Sequence, residues 1–249
     1  MTRQLQLVLL ALVLGFLGTN AWADGMPVRH SDLRPCGTGP FAGAYIGAAV
    51  GFGRQRDEIN DVLPLSPTFG AKFHDSDSSV TFGGYTGYNW QCDRFVFGVE
   101  TDFDYLNTSP TVFVDTSTLE GRMDWFGTLR ARAGYAVHED LLLYVTGGLA
   151  YANVDHTFSD TNVNGFPFFQ SNKDTEAGWT LGGGAEYLHD CNWLLRAEAL
   201  YVDLGSETHN YTACPGGCQA ALKWDDQFWV ARLGLAYKFG APEPMVPLK

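Results

Sequence analysis

Phe95-Val96-Phe97-Gly98-Val99-Glu100-Thr101-Asp102-Phe103-Asp104-Tyr105 alternates two kinds of side chain with a period of two. One set reads Gly98, Glu100, Asp102, Asp104; the other reads Phe95, Phe97, Val99, Thr101, Phe103, Tyr105. An extended strand sends successive side chains to opposite faces, so this stretch predicts a strand with one charged and one apolar face. The pattern recurs downstream. Arg122, Asp124, Thr128, Arg130 and Arg132 oppose Met123, Trp125, Leu129, Ala131, Ala133 and Tyr135. Arg196 and Glu198 oppose Trp193, Leu195, Ala197 and Ala199, and Arg232, Gly234 and Lys238 oppose Trp229, Leu233, Leu235, Tyr237 and Phe239.

Eight segments carry such alternation or a β-type composition between turn signals: 41–54, 79–91, 94–107, 121–137, 141–155, 175–189, 192–205 and 226–239. Their joins alternate in length. Cys92-Asp93, His138-Glu139-Asp140 and Asp190-Cys191 are tight, whereas 55–78, 108–120, 156–174 and 206–225 are long and rich in Asp, Ser, Thr, Asn, Pro and Gly. An up-and-down meander with this alternation has one rim of tight turns and one rim of loops, the asymmetry of outer-membrane barrels.

Composition narrows the classes further. The 249 residues hold 29 glycines and 14% aromatics but only 18% Asp, Glu, Lys and Arg, with a net charge of −12. Nucleic acid is excluded as a partner, because neutralising phosphates takes clustered Lys and Arg. At the start, Arg3 precedes an eleven-residue apolar run, Leu7–Leu17, and then Ala21-Trp22-Ala23. A spanning helix needs about 20 residues, so 1–23 reads as a secretory signal cut between Ala23 and Asp24. The remaining expected parts are a periplasmic segment 24–40, a barrel 41–239 and a Pro-containing tail 240–249 too short for a cell-wall-binding domain.

Period two alone leaves open which face is inside, since a soluble barrel alternates as well. Aromatics settle it. Tyr105, Trp125, Tyr151, Trp179, Tyr201 and Trp229 lie on the apolar face toward the long joins, and Trp90, Phe95, Tyr135, Trp193 and Phe239 lie toward the tight turns. The pairs 95/105, 125/135 and 229/239 are ten residues apart. That spacing spans about 25 Å along the axis of a tilted strand, the height of an outer-membrane apolar band between aromatic girdles. The apolar face therefore belongs in lipid and the charged face in the lumen.

The chain also resembles a known family. Phe41-Ala42-Gly43-Ala44-Tyr45-Ile46-Gly47, Gly87-Tyr88-Asn89-Trp90-Gln91, Asp124-Trp125-Phe126-Gly127-Thr128-Leu129-Arg130, Gly178-Trp179-Thr180-Leu181-Gly182-Gly183-Gly184 and Gly234-Leu235-Ala236-Tyr237-Lys238-Phe239 look like successive strand motifs of the small outer-membrane porin or surface-antigen β-barrels, opacity-like and related to the OmpA barrel. The resemblance covers nearly all of the chain after the signal. It implies an all-β, eight-stranded antiparallel up-and-down transmembrane β-barrel of the Gram-negative cell outer membrane. Lipid and lipopolysaccharide surround such a barrel, and host or envelope proteins meet its loops. Arg232, Gly234, Tyr237 and Phe239 resemble the C-terminal signal read by the barrel-assembly machinery, although here a tail follows the terminal aromatic.

Twelve charges are assigned to the lumen: Glu100, Asp102, Asp104, Asp124, Glu186 and Glu198 against Arg122, Arg130, Arg132, Arg196, Arg232 and Lys238. They form either an ion path or a mutually neutralising plug; the plug is favoured because an eight-stranded interior is just wide enough for side chains to fill and unpaired buried charge is costly. Of the five cysteines, Cys214 and Cys218 flank Pro-Gly-Gly and suit a local disulfide, since two thiols with only His209 nearby fall short of four zinc ligands. Two of Cys36, Cys92 and Cys191 can pair, leaving one free. None of the histidines lies mid-strand; Asp155-His156 with Ser159 is the nearest thing to a catalytic triad, in a Ser- and Asp-rich stretch where such neighbours arise by chance. Loop 55–78 carries Asp57, Glu58, Asp61, Asp75 and Asp77 against Arg56 and Lys72, and reads as a solvated acidic loop before a cation site. The expected function is that of a structural, surface-exposed interaction protein without catalysis or cofactor. A low-conductance solute pore is the rival, and a lipid-active enzyme the third reading.

Overall fold

The structure is a computed structural model that describes residues 36–37, 39–61, 70, 72–114, 117–163, 166–212 and 219–239. The described strands are β1 (Gly43–Asp61), β2 (Lys72–Cys92), β3 (Phe95–Thr108), β4 (Thr111–Val114), β5 (Ser117–Ala136), β6 (Leu141–Val163), β7 (Phe166–His189), β8 (Trp193–Thr212) and β9 (Gln219–Lys238). Pairing is antiparallel throughout: β1 with β2, β2 with β3, β3 with β5, β4 with β5, each of β5 to β8 with the next, and β9 back to β1. The ring is therefore eight-stranded and closed, as the pattern of segments predicts. The four-residue β4 continues the line of β3 beyond a break at Ser109-Pro110, where proline supplies no ladder donor. Between the girdles this closure leaves no unpaired edge, the condition for strands in a bilayer, whereas beyond them β7 pairs with β8 only as far as Trp179↔Asp203.

The tight turns lie where expected. Asp93, Asp190 and Cys191 adopt positive φ of 55°, 48° and 65° there, and the reversal is compact enough for the adjoining strands to pair down to Cys92↔Phe95 and His189↔Trp193. Between the rims, the outward face exposes Leu129, Val145, Leu149, Leu181 and Leu233 at 56%, 63%, 64%, 59% and 66%. So much contiguous aliphatic surface is stable against acyl chains and not against water. Two aromatic girdles bound it. On one rim Phe103 stacks on Trp125 with centroids 5.2 Å apart, and Tyr201 lies 5.4 Å from Trp179 and 4.7 Å from Trp229. On the other, Phe95 meets Tyr135 at 5.4 Å and Trp193 meets Tyr237 at 5.4 Å.

The long joins depart from the sequence expectation. Much of 55–78, 108–120, 156–174 and 206–225 is strand, not loop, and β7 alone runs for 24 residues. At roughly 3.3 Å per residue and a tilt near 40° that is about 60 Å along the axis, more than twice the apolar band. The Asp, Ser and Thr content suggested loops because it was weighed without face. Beyond the girdle those polar residues sit on the outward, water-facing side, while Ile59, Leu119, Phe158, Leu222 and Trp224 turn inward and pack together. The polarity of the two faces is thus inverted relative to the membrane segment, as the change of solvent demands.

The lumen is layered, and β9 passes through every layer. From the loop end its inward residues are Leu222 and Trp224, then Asp226, then Phe228 and Val230, then Arg232, then Ala236, all buried. Phe228 and Val230 join an apolar layer with Leu106, Met123, Phe126 and Leu200. Ala236 joins another at the turn end with Phe41, Tyr45, Val96, Leu142 and Leu194. Phe41 is delivered by the segment before β1: its N–H donates to Gln91 Oε1 at 2.9 Å, Gly37 N–H donates to the Gln91 carbonyl at 2.8 Å, and Cys36 is disulfide-bonded to Cys92. That bond leaves Cys191 as a free, exposed thiol. Cys214 and Cys218 lie outside the described residues, as do Ala23, Asp24 and the tail 240–249.

Candidate functional site

The middle of the lumen is a lattice of charge. Arg130 on β5 donates from Nη1 to Glu198 Oε1 at 3.0 Å and from Nη2 to Asp102 Oδ2 at 3.0 Å and to Glu100. Arg132, two residues on, donates from Nη1 to Glu186 Oε1 at 3.0 Å and to the Tyr45 hydroxyl at 2.9 Å. Arg196 donates from Nε to Glu186 Oε1 at 2.8 Å, with its Nη2 2.6 Å from Glu100 Oε2. Arg232 completes the set, giving Nε to Glu198 at 2.9 Å, Nη1 to Asp104 and Nη2 to Asp102, both at 2.5 Å. These four guanidiniums and five carboxylates come from β3, β5, β7, β8 and β9, each placed inward by the same period of two.

The most exposed of the nine, Glu198, is 5% accessible. Charges so far from water are tolerable only when each is matched by an opposite charge and by donors of fixed direction. The arginine forks bridge two or three carboxylates apiece, so removing one member strands several others. All nine are buried at this level of the lumen, with apolar layers on either side of them.

Sequence reasoning missed three tyrosines in this lattice. Tyr45 donates to Glu100 Oε2 at 2.7 Å, Tyr144 donates to Glu198 Oε1 at 3.0 Å, and the guanidiniums of Arg132 and Arg196 lie over the Tyr144 and Tyr85 rings at 4.0 and 4.1 Å. The available signal was glycine opposite tyrosine. A Cβ on Gly87 would stand 2.4 Å from the Tyr45 hydroxyl and one on Gly184 2.7 Å from that of Tyr144.

Three of the twelve assigned residues do not join the lattice. Lys238 is buried at the turn end, 3.4 Å from the Ala42 carbonyl. Arg122 and Asp124 are corrections: they face outward beyond the girdle and pair with each other at 2.9 Å. The ladder of β5 with β6 shifts between Met123 and Trp125. The extra residue reverses the inward parity, so Met123 and Arg130 both point in although one is odd and the other even.

The near-triad also comes apart. Asp155 and Ser159 are on the outward face of β6, where Asp155 accepts a hydrogen bond from Ser171, while His156 points into the lumen and meets Asp226 Oδ2 at 3.1 Å. His156, His74 and His209 prove to lie within strands because those strands outrun the membrane. Around His156 is a second polar layer, with Glu176 and His209 buried beside it. Burial, reinforced by the Asp226 charge, pushes the Glu176 carboxyl up to about 8. Burial and the neighbouring His156 hold the His209 imidazole below its ordinary value. On the outer surface Glu58 binds Lys72 and His74 at 2.6 and 3.1 Å, so that part of the acidic join is ion-paired across β1 and β2.

Comparison with known proteins agrees with this architecture. The family model of the outer membrane protein beta-barrel domain matches residues 9–239. The 31 kDa outer-membrane immunogenic protein of Brucella melitensis biotype 1 is 36% identical over 248 residues, 93% of this chain and 99% of that protein. The 22 kDa outer membrane protein of Rhizobium leguminosarum bv. viciae is 34% identical over 187 residues, 73% of this chain and 72% of that one. Among solved structures, OprG from Pseudomonas aeruginosa aligns with a TM-score of 0.57 at 18% identity, covering 82% of this chain and 99% of that chain, a likeness of fold.

Proposed function

Since the chain belongs to the outer membrane protein β-barrel family, we propose that it is a non-conducting surface barrel whose working part is the strand extension outside the membrane. It resides in the Gram-negative outer membrane. The carrying observation is the inversion of face polarity at the girdle. Inside the bilayer the barrel is built to be inert, filled by ion pairs and apolar layers; beyond it the same strands present a polar outer surface around an apolar cluster of Ile59, Leu119, Phe158, Leu222 and Trp224. A polar collar displayed above the membrane suits recognition by other macromolecules, and the relative from Brucella melitensis is named as immunogenic. Envelope support and loop-mediated contact with host or envelope proteins are the roles this reading assigns.

A solute pore is disfavoured by the filled lumen, and catalysis by the separation of Asp155 and Ser159 from His156 on opposite faces. Arg232, Gly234, Tyr237 and Phe239 are the segment we assign to recognition by the assembly machinery; Tyr237 and Phe239 meet edge to face on the outward face with centroids 5.3 Å apart, where a partner strand can read them. The display is tested by placing a single cysteine at Thr208, on the exposed face of β8, in a Cys191→Ser background. Labelling of intact cells by a bulky maleimide is expected. Absence of labelling on a folded barrel would refute the proposed orientation and display.

A further inference from the structure

Four inward side chains on successive strands meet above the girdle: His156 of β6, Glu176 of β7, His209 of β8 and Asp226 of β9. His156 lies five residues beyond the girdle Tyr151, about 13 Å along the axis, and so outside the membrane. One nitrogen of His156, one of His209 and a carboxylate oxygen of Glu176 lie within 4.8 Å of one another. The layer is sealed by Trp224, whose ring centroid is 4.4 Å from that of His156.

We propose that this layer is a binding site for a divalent transition-metal ion, with His156 Nδ1, His209 and Glu176 as ligands and Asp226 as the orienting partner of His156. The two His156 nitrogens already have the required division of labour. Nε2 is 3.1 Å from Asp226 Oδ2, and Nδ1 faces Glu176 Oε1 at 3.8 Å. A carboxylate that takes the far ring N–H fixes the tautomer and turns the other nitrogen toward the metal.

The independent observation is what Glu176 lacks. It is 3% accessible, both of its oxygens are without a hydrogen-bond donor, and so is His156 Nδ1. A buried carboxylate aimed at imidazole nitrogens without a donor is otherwise a standing cost. A bound cation supplies the missing charge.

Two imidazoles and a carboxylate suit zinc and its first-row neighbours and not calcium or magnesium, which take oxygen ligands. Metal–ligand bonds of about 2.0–2.1 Å place tetrahedral ligand atoms roughly 3.3 Å apart, so the set closes by at most about 1.5 Å. Three protein ligands leave a fourth position for water. The bound ion would tie β6, β7, β8 and β9 together where no lipid holds the barrel.

The layer's separation from the membrane lattice makes the test independent of whether the barrel conducts. The untagged chain, extracted from outer membranes in detergent and stripped with a chelator, is titrated with zinc against a chromophoric competitor. One ion per chain is expected; Asp226→Asn weakens it about 10–100-fold, Glu176→Gln by more, and His74→Ala, on the exposed surface, leaves it unchanged. X-ray absorption at the zinc edge of the wild type needs no variant and should show two imidazoles with oxygen. No zinc uptake, unaltered affinity in Glu176→Gln, or a shell of oxygen alone would overturn the proposal.

Discussion

Arg130 of β5 binds Glu198 of β8 across the lumen at 3.0 Å, although the two strands are separated in the ring by β6 and β7. A side chain that spans the interior also occupies it, so the same contact cross-braces the barrel and, on the proposed function, blocks it. Arg130→Ala removes a partner from Glu198, Asp102 and Glu100 together, and should cost about 3–5 kcal/mol. Thermal unfolding in detergent, read by the heat-modifiable gel shift, measures it. Arg122→Ala, which breaks an exposed pair, should cost under about 1 kcal/mol in the same assay.

The lipid boundary predicts a dependence on height. Leu129, midway between Trp125 and Tyr135 on the outward face, should tolerate arginine poorly, losing about 2–4 kcal/mol. Thr208→Arg, on the outward face of the extension opposite Lys223, should be near neutral. Equal losses at both positions would place the membrane elsewhere on the barrel.

The extension should behave as a separate unit of stability. Trp224 is fully buried among Ile59, Leu119, Phe158 and Leu222, and Trp224→Ala is expected to cost about 3–5 kcal/mol locally. Amide exchange should rise in 117–123, 154–160 and 219–226 and stay unchanged between the girdles.

Gly205 has φ of +85° and its N–H donates to Asp203 Oδ1 at 2.8 Å, at the point where the pairing of β8 with β9 slips between Asp203 and Ser206. The bulge reverses parity, so Leu204 and His209 both face inward. Gly205→Val should cost about 1–3 kcal/mol through backbone strain and loosen zinc binding with it, measured on the same titration.

These bulges mark where the sequence stops being readable. Period two, the ten-residue aromatic spacing and the alternation of joins were enough for eight strands, a lipid-facing apolar surface and ten of the twelve assigned lumen charges, Lys238 among them. Arg122 and Asp124 were misplaced because one extra residue in β5 leaves no compositional trace. The length of β6, β7 and β8 was hidden by a change of solvent partway along them: Asp and Ser mean lumen within the bilayer and exterior above it. The layer of His156, Glu176, His209 and Asp226 was illegible for a further reason, since its members come from four strands whose mutual stagger is fixed only when the barrel closes. The Cys36–Cys92 bond likewise depends on where the segment before β1 crosses the turn end.

The central claim is that the lumen is closed, and single-channel conductance of the folded chain in a planar bilayer tests it most directly. A silent membrane is expected at neutral pH, with the heat-modifiable shift establishing that folded barrel was added. Steady, reproducible openings that change in size when Arg130 or Arg132 is neutralised would contradict the account.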